Sequence, residues 1–180
     1  VTDARRPGTT GKDEPASHPP GLPEQDLPEL FSDLVRLQIE LWNALDVRLR
    51  DEHGLSLSRY EAMAAIAARP CCRVRDLMST LVITIGGASK LVDRVEASGH
   101  CRRLPNPQDG RSSHLELTDL GRRVLERARA TVDEELQQSL GARLTVSQLR
   151  DLGGLVATAR AGSSRARPDR DGDRGDPDLA

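Results

Sequence analysis

The sequence predicts a mainly α fold with a small β-hairpin wing: a winged helix-turn-helix domain joined to a helical dimerisation region. Three observations carry that expectation. Short amphipathic stretches follow one another from Ser58 to Ser98, broken at Pro70 and again before Thr84. Two extended runs, Cys101-Arg102-Arg103-Leu104 and Ser113-His114-Leu115-Glu116-Leu117, then flank the turn-rich PNPQDGR. Long helical patterns precede and follow the whole block. Short helix, tight turn, helix and hairpin in succession is the order of a winged helix-turn-helix.

The head of the chain carries Pro7, Pro15, Pro19, Pro20, Pro23 and Pro28 with few apolar residues between them, and the end, RPDRDGDRGDPDLA, alternates Arg with Asp around glycines. Neither can bury enough to order itself, so residues 1–27 and 162–180 are expected to be disordered tails around a folded part at about 28–161. Leu30, Leu34, Leu37, Leu41 and Leu45 recur at helical spacing up to about Glu52, with Phe31, Val35, Ile39 and Trp42 on an adjacent stripe. A helix apolar over so wide an arc needs two surfaces to bury against, its own domain and a second subunit. His53-Gly54 ends it.

Ser58-Arg59-Tyr60-Glu61 fits a capping box opening the next helix, with Tyr60, Met63, Ala64, Ile66 and Ala67 inward, and Pro70 closes it. Arg73 to about Leu81 forms a short helix. Thr84 then caps a helix whose core face is Ile85, Ala88, Leu91, Val92 and Val95, with Gly99 as its stop. After the hairpin, Thr118 caps a long helix with Leu120, Val124, Leu125, Ala128, Val132, Leu136 and Leu140 on its apolar side, ended by Gly141. Thr145-Val146-Ser147-Gln148 opens the last helix. The winged block spans about 56–118 and the dimerisation helices about 28–52 and 119–161.

Formal net charge is −2 over 180 residues, which by itself points to no polyanion. The distribution does. From Cys71 to Ala130 eleven basic residues stand against seven acidic ones, enough to give that segment a polyanion-facing side. No run approaches the ~20 apolar residues needed to span a bilayer, and the opening VTDARRPGTT lacks a signal's apolar stretch, so a cytoplasmic protein without membrane contact is expected. The three cysteines, Cys71, Cys72 and Cys101, form no disulfide or zinc framework, and no metal or cofactor is expected. An enzyme is not expected either: His100 and Cys101 are the nearest approach to a nucleophile with its base, and neighbours on a strand point to opposite faces.

Gly86 and Gly87 sit in the first turn of the helix capped by Thr84, where each costs roughly 1 kcal/mol relative to alanine. A helix entering a major groove gives that cost a use, because its first backbone N–H groups can approach phosphate where no side chain intervenes. Thr84 can cap and also donate to phosphate, Ser89 and Lys90 occupy the next turn, and Arg94 lies one turn beyond Lys90. Arg73 and Arg75 are candidate phosphate contacts at the start of the preceding helix, and Arg102 and Arg103 are weaker ones, since strand alternation sends them to opposite faces. The competing explanation is that the glycines relieve packing against that helix.

The stretch LVDRVEASGHCRRLPNPQDGRSSHLELTDLGR resembles the MarR family (multiple-antibiotic-resistance-type regulators) in its recognition-helix end, first wing strand, Asp-x-Arg tip and returning strand leading into L-T-x-x-G. The resemblance extends over about residues 28–161. It implies an obligate dimer made by the first and last two helices, a recognition helix in the major groove of double-stranded DNA and a wing arginine in the minor groove. Arg111 matches that arginine and Asp109 the acidic residue that braces it, while Lys90 falls where the family commonly has a basic DNA contact. Gly110 departs from the pattern, standing where a second arginine is frequent.

The resulting expectation is a sequence-specific transcriptional regulator, a signal-responsive repressor that binds a pseudo-palindromic operator as a homodimer. The resemblance also implies a small-molecule effector or a thiol signal. Trp42, Arg48, His53 and Tyr60 are able to line an effector cleft, although core and surface roles fit each. Cys71 and Cys72 lie beside Arg73, which would favour thiolate, although buried or inert thiols fit better. A helical dimeric adaptor without DNA binding is the rival from another class, and it has no use for a basic DGR hairpin beside a glycine-weakened helix.

Overall fold

The computed structural model describes residues 26–164 apart from Gln108, Gly110 and Arg111. Of the tails expected to be disordered at 1–27 and 162–180, residues 1–25 and 165–180 lie outside the described residues, as does the wing arginine, while residues 26–27 and 162–164 are helical. The helical elements are α1 (Asp26–His53), α2 (Leu57–Ala68), α3 (Val74–Leu81), α4 (Ile85–Ala97), α5 (Asp119–Leu136) and α6 (Val146–Ser164), with the antiparallel hairpin β1 (Cys101–Pro105) and β2 (Ser113–Leu117) between α4 and α5. The chain falls into two compact units, Val1–Gln38 and Ile39–Ala180.

In the first unit the described residues are the opening turns of α1. Their apolar side chains, Leu27, Leu30, Phe31, Leu34, Val35 and Leu37, are exposed, Phe31 by 68%. Ser32 donates to the Pro28 carbonyl at 2.9 Å and Arg36 pairs with Asp33.

The second unit holds the core. Leu45 and Leu49 are the residues of α1 buried in it, and they meet Leu55, Leu57, Tyr60, Met63 and Ile66 in one cluster. Leu77, Ala88, Val92 and Val95 extend that cluster through α3 and α4, and Cys101, Leu115, Leu117, Val124, Leu125, Ala128 and Val132 carry it into the hairpin and α5. The long apolar-patterned helix α1 therefore buries little of its stripe, since Ile39, Trp42 and Val47 are exposed as well.

Gly54 takes φ +62° at the end of α1, a left-handed conformation that glycine adopts without steric cost, and its N–H returns to the Arg50 carbonyl at 2.9 Å. The start of α2 differs from the pattern read in the sequence. Ser56 precedes the helix and the Ser58-to-Glu61 capping box does not form; Ser58 instead shares a hydroxyl contact with Ser56. The Leu57 N–H is satisfied by the Asp46 carboxylate of α1 at 2.7 Å, a cap supplied from eleven residues upstream. Burial opposes ionisation of Asp46, but Arg50 and the Leu57 N–H outweigh it and hold the carboxyl below its ordinary value.

The α5 boundary also differs. The regular helix stops at Leu136 and the expected stop at Gly141 is the end of a π-helical turn, Gln137–Gly141. Leu120, read as an inward residue of α5, is 45% exposed. The Thr145 box does form: Thr145 N–H donates to Gln148 Oε1 at 2.9 Å and Gln148 N–H to Thr145 Oγ1 at 3.3 Å.

Candidate nucleic-acid interface

Helix α4, expected to be the recognition helix, is built from both ends. Thr84 has the extended backbone of an N-cap and its Oγ1 accepts from the Gly87 N–H at 3.1 Å. Ala88, Leu91, Val92 and Val95 face the core, which leaves Lys90 and Arg94, four residues apart, exposed on the opposite side, with Ser89 half-buried. Gly86 and Gly87 have different surroundings. A Cβ at Gly86 would meet nothing within 4 Å, so packing against the preceding helix does not require that glycine. A Cβ at Gly87 would stand 3.2 Å from the capping Thr84 hydroxyl, so this one serves the cap.

The far end of α4 is tied down. Gly99 turns the chain at φ +71°, and Thr118, the N-cap of α5, donates its hydroxyl to the Gly99 carbonyl at 2.7 Å and its N–H to the His100 carbonyl at 3.0 Å. The Gly121 N–H completes the clamp on Thr118 Oγ1 at 3.0 Å. A Cβ at Gly121 would come to 1.9 Å from the His100 carbonyl oxygen, which is why the L-T-x-x-G stretch has glycine there. Burial, then the nearby Arg59 charge, lowers the pKa of His100.

The hairpin pairs Cys101 with Leu117 and Arg103 with Leu115, turning Cys101, Leu115 and Leu117 inward. Opposite them, Arg102 and Glu116 form a cross-strand ion pair at 2.7 Å on the exposed face. Leu115 N–H also bonds the Cys72 carbonyl at 2.7 Å, pinning the wing to the α2–α3 turn. Arg103, a weak DNA candidate in the sequence, is occupied otherwise: its guanidinium spans Asp93, at 2.7 Å, and Glu96, both on α4. The Asp93 hydrogen bond leads in raising its pKa. Arg103 thereby braces wing to helix and neutralises two acids beside Lys90 and Arg94.

At the wing tip the organising residue is Asn106, which sequence reading passed over. It is 3% exposed, donates from Nδ2 to Ser112 Oγ at 2.8 Å and accepts the Asp109 N–H at 3.2 Å. Asp109 is exposed, and its carbonyl accepts the Ser112 N–H at 3.0 Å. Asparagine between two prolines is the signal for such a turn.

Arg73 and Arg75 are exposed at the start of α3, where the Asp76 carboxylate accepts the Arg73 N–H at 2.8 Å. Among the described residues the side chains of Arg73, Arg75, Lys90 and Arg94 make no ion pair, whereas Arg69, Arg102, Arg103 and Arg122 each have an acidic partner. The residues considered for an effector cleft are engaged in the fold: Arg48 pairs with Glu52, Glu134 and Glu135, His53 Nε2 meets Thr131 Oγ1 at 2.8 Å, and Tyr60 is buried, leaving Trp42 exposed. Cys71 is exposed. Cys72 and Cys101 are buried, and burial pushes both thiols up, Cys101 to about 11. Cys72 is therefore the buried thiol that fitted better, and not a thiolate. No group of three or more metal-ligating side chains occurs among the described residues, and no helix there is long and apolar enough to cross a membrane.

Three helices in this order, the third capped and presenting free cations, with a hairpin braced to its side, define the class of winged helix-turn-helix transcription regulators. Residues 55–113 match the MarR family. The chain is 26% identical over 130 residues to the multiple antibiotic resistance protein MarR of Escherichia coli, covering 69% of this chain and 90% of that one. A MarR family transcriptional regulator from Streptomyces coelicolor, solved in complex with DNA, superposes with a TM-score of 0.71 at 25% identity, covering 85% of this chain and 95% of that one. A mutant Escherichia coli MarR complexed with operator DNA has the same fold, with a TM-score of 0.68 at 23% identity, covering 75% and 95% of the two chains. The winged block of the chain, residues 55–113, is thus similar to the MarR family of transcriptional regulators.

Proposed function

We propose that the chain binds a pseudo-palindromic operator as a homodimer, sequence-specifically, and represses transcription there in response to a signal. The observation that carries the reading is the set of exposed cations on α3 and α4, Arg73, Arg75, Lys90 and Arg94, unpaired among the described residues and beside a Gly86 with open space around it. A phosphate backbone supplies the missing counter-charges, and close approach at Gly86 lets the first N–H groups of α4 take part. A solved relative from Streptomyces coelicolor in complex with DNA supports a DNA partner. Arg111, with Asp109 bracing it, is assigned to the minor groove, whose negative potential rewards an inserted guanidinium. The exposed apolar residues of α1 and of α6, among them Phe31, Leu34, Leu155 and Val156, support a subunit contact.

Selection of fragments from the source genome by the full chain tests this reading. Enriched fragments should share an inverted repeat with half-sites about one helical turn apart, sedimentation should show a dimer, and a reporter driven from the fragment should be silenced. Arg111→Ala should weaken binding by about 1–3 kcal/mol and relax preference for A·T-rich flanks. Recovery of no fragment above background by a folded dimer would return the chain to the adaptor class.

A further inference from the structure

The chain reverses between α3 and α4 at Val82, which has φ +55° and ψ +43°. Glycine takes that left-handed conformation freely, whereas a β-branched residue there is a genuine outlier, held against its own sterics. Val82 is nevertheless 65% exposed, so its isopropyl group is not kept for the core. Ile85 follows as the first residue of α4 and is 53% exposed, although the sequence pattern placed it inward. With Ile83, exposed between them, three apolar side chains are thus set in water at one corner, Val82 at a conformational cost.

That corner is continuous with the cationic face. Ile85 and Ser89 lie four residues apart on α4, and Gly86, Lys90 and Arg94 form the neighbouring row at the same spacing. An orientation that brings Lys90 and Arg94 to a duplex brings Ile85 and the Val82 turn into the same groove. Base edges in the major groove are otherwise hydrogen-bonding groups; the apolar feature they offer is the C5-methyl of thymine. Lysine and arginine satisfy phosphates or guanine but gain nothing from a methyl group, and a branched aliphatic side chain does the reverse.

We propose that Val82 and Ile85 are specificity-determining residues that read thymine methyl groups beside the base pairs facing Lys90. The proposal rests on the DNA-binding reading above and adds the base class to it. Deoxyuridine provides the probe, because it keeps the pairing and the O4 acceptor of thymine and removes only the methyl.

The full chain would select a duplex from a random-sequence pool, and each thymine of one half-site would then be replaced singly by deoxyuridine. At the contacted positions the wild-type chain should lose about fourfold in affinity per methyl removed. Ile85→Ala should weaken the thymine duplex by a similar or larger factor and bind the thymine and uracil duplexes alike at its position, the non-additivity that marks a direct contact. Val82→Gly, which relaxes the turn, should lose the methyl preference at a neighbouring position without a lower melting temperature. Equal wild-type affinity for thymine and uracil duplexes, or an unchanged thymine-to-uracil ratio in both variants, overturns the proposal while leaving DNA binding intact. If Ile85→Ala alters sedimentation and leaves DNA affinity unchanged, the corner is a protein contact and the proposal is equally overturned. Failure to enrich any duplex overturns the DNA-binding reading and this proposal together.

Discussion

The two ends of α4 are made on opposite plans. At its C-terminal end Gly99, Thr118 and Gly121 close a backbone clamp, Arg103 satisfies Asp93 and Glu96, and a methyl group added at Gly121 would lie well inside van der Waals contact distance of a carbonyl oxygen. At its N-terminal end only the Thr84 cap is closed; Gly86 borders open space, Ile85 is in water, and Lys90 and Arg94 have no acidic partner among the described residues. Both ends contain glycine and charge, so composition does not distinguish them. Partnership does: groups whose bonds are all made hold the helix in place, and groups left open are where a ligand supplies the rest.

Substituting the two kinds of glycine should break or sharpen this contrast most. Gly121→Ala forces a Cβ against the His100 carbonyl, and the cost should reach about 3 kcal/mol, the upper end for overpacking. Urea titration of the purified chain would measure it, and a loss below half that value would mean that α5 shifts easily and the clamp is loose.

The wing base gives the next largest effect. Cys101 has its folded pKa raised to about 11, against 9.0 for the free thiol, by burial first and the Glu96 charge second. A raised folded value means that the contribution is fully present below pH 9 and is lost as the pH rises from about 9 to 11, when the unfolded thiol ionises and the folded one resists. Two pH units correspond to a fall of roughly 2–3 kcal/mol across that window. The buried Cys72 thiol and Tyr60 hydroxyl, raised in the same direction chiefly by burial, add to it. Cys101→Ala should flatten the decline when melts under reducing conditions are compared at pH 8 and pH 11; an unchanged slope would show the strand opening to solvent.

At the open end the sign reverses. Gly86→Ala meets no protein atom and should raise stability by up to ~1 kcal/mol while weakening operator binding by blocking close approach. Thermal melting and filter binding on the same preparation separate the two, and equal affinity of variant and wild type would mean that phosphate does not come near this turn.

Much of α4 and the hairpin was legible because the signals are local. Thr84 and Gly99 bracket the helix, and β2 begins and ends at the residues expected, Ser113 and Leu117. What escaped depends on elements distant in the chain or on geometry that residue type does not announce. The α2 cap comes from Asp46 on α1, so Ser58 looked like a cap with no rival in its own window. Arg103 looked like a candidate for DNA because its acidic partners lie on a different element. Ile85 was placed inward by helical spacing, since periodicity assigns a face but not where the covering elements stop. Arg111 lies outside the described residues, and its assignment continues to rest on the resemblance of the whole hairpin and its neighbours to the family.

The contrast between open and satisfied cations is tested most directly by the salt dependence of operator binding. Wild type, the double variant Lys90→Ala with Arg94→Ala, and Arg102→Ala would be titrated with the selected operator over a series of salt concentrations. Each lost phosphate contact should lower the slope of log K against log salt by about 0.9. The double variant should therefore lose up to about 2 from the slope, and Arg102→Ala, whose charge is committed to Glu116, should leave it unchanged. An Arg102→Ala slope reduced as much as that of the double variant, or a double variant with the wild-type slope, would contradict the division of α4 and its wing into an open face and a braced one.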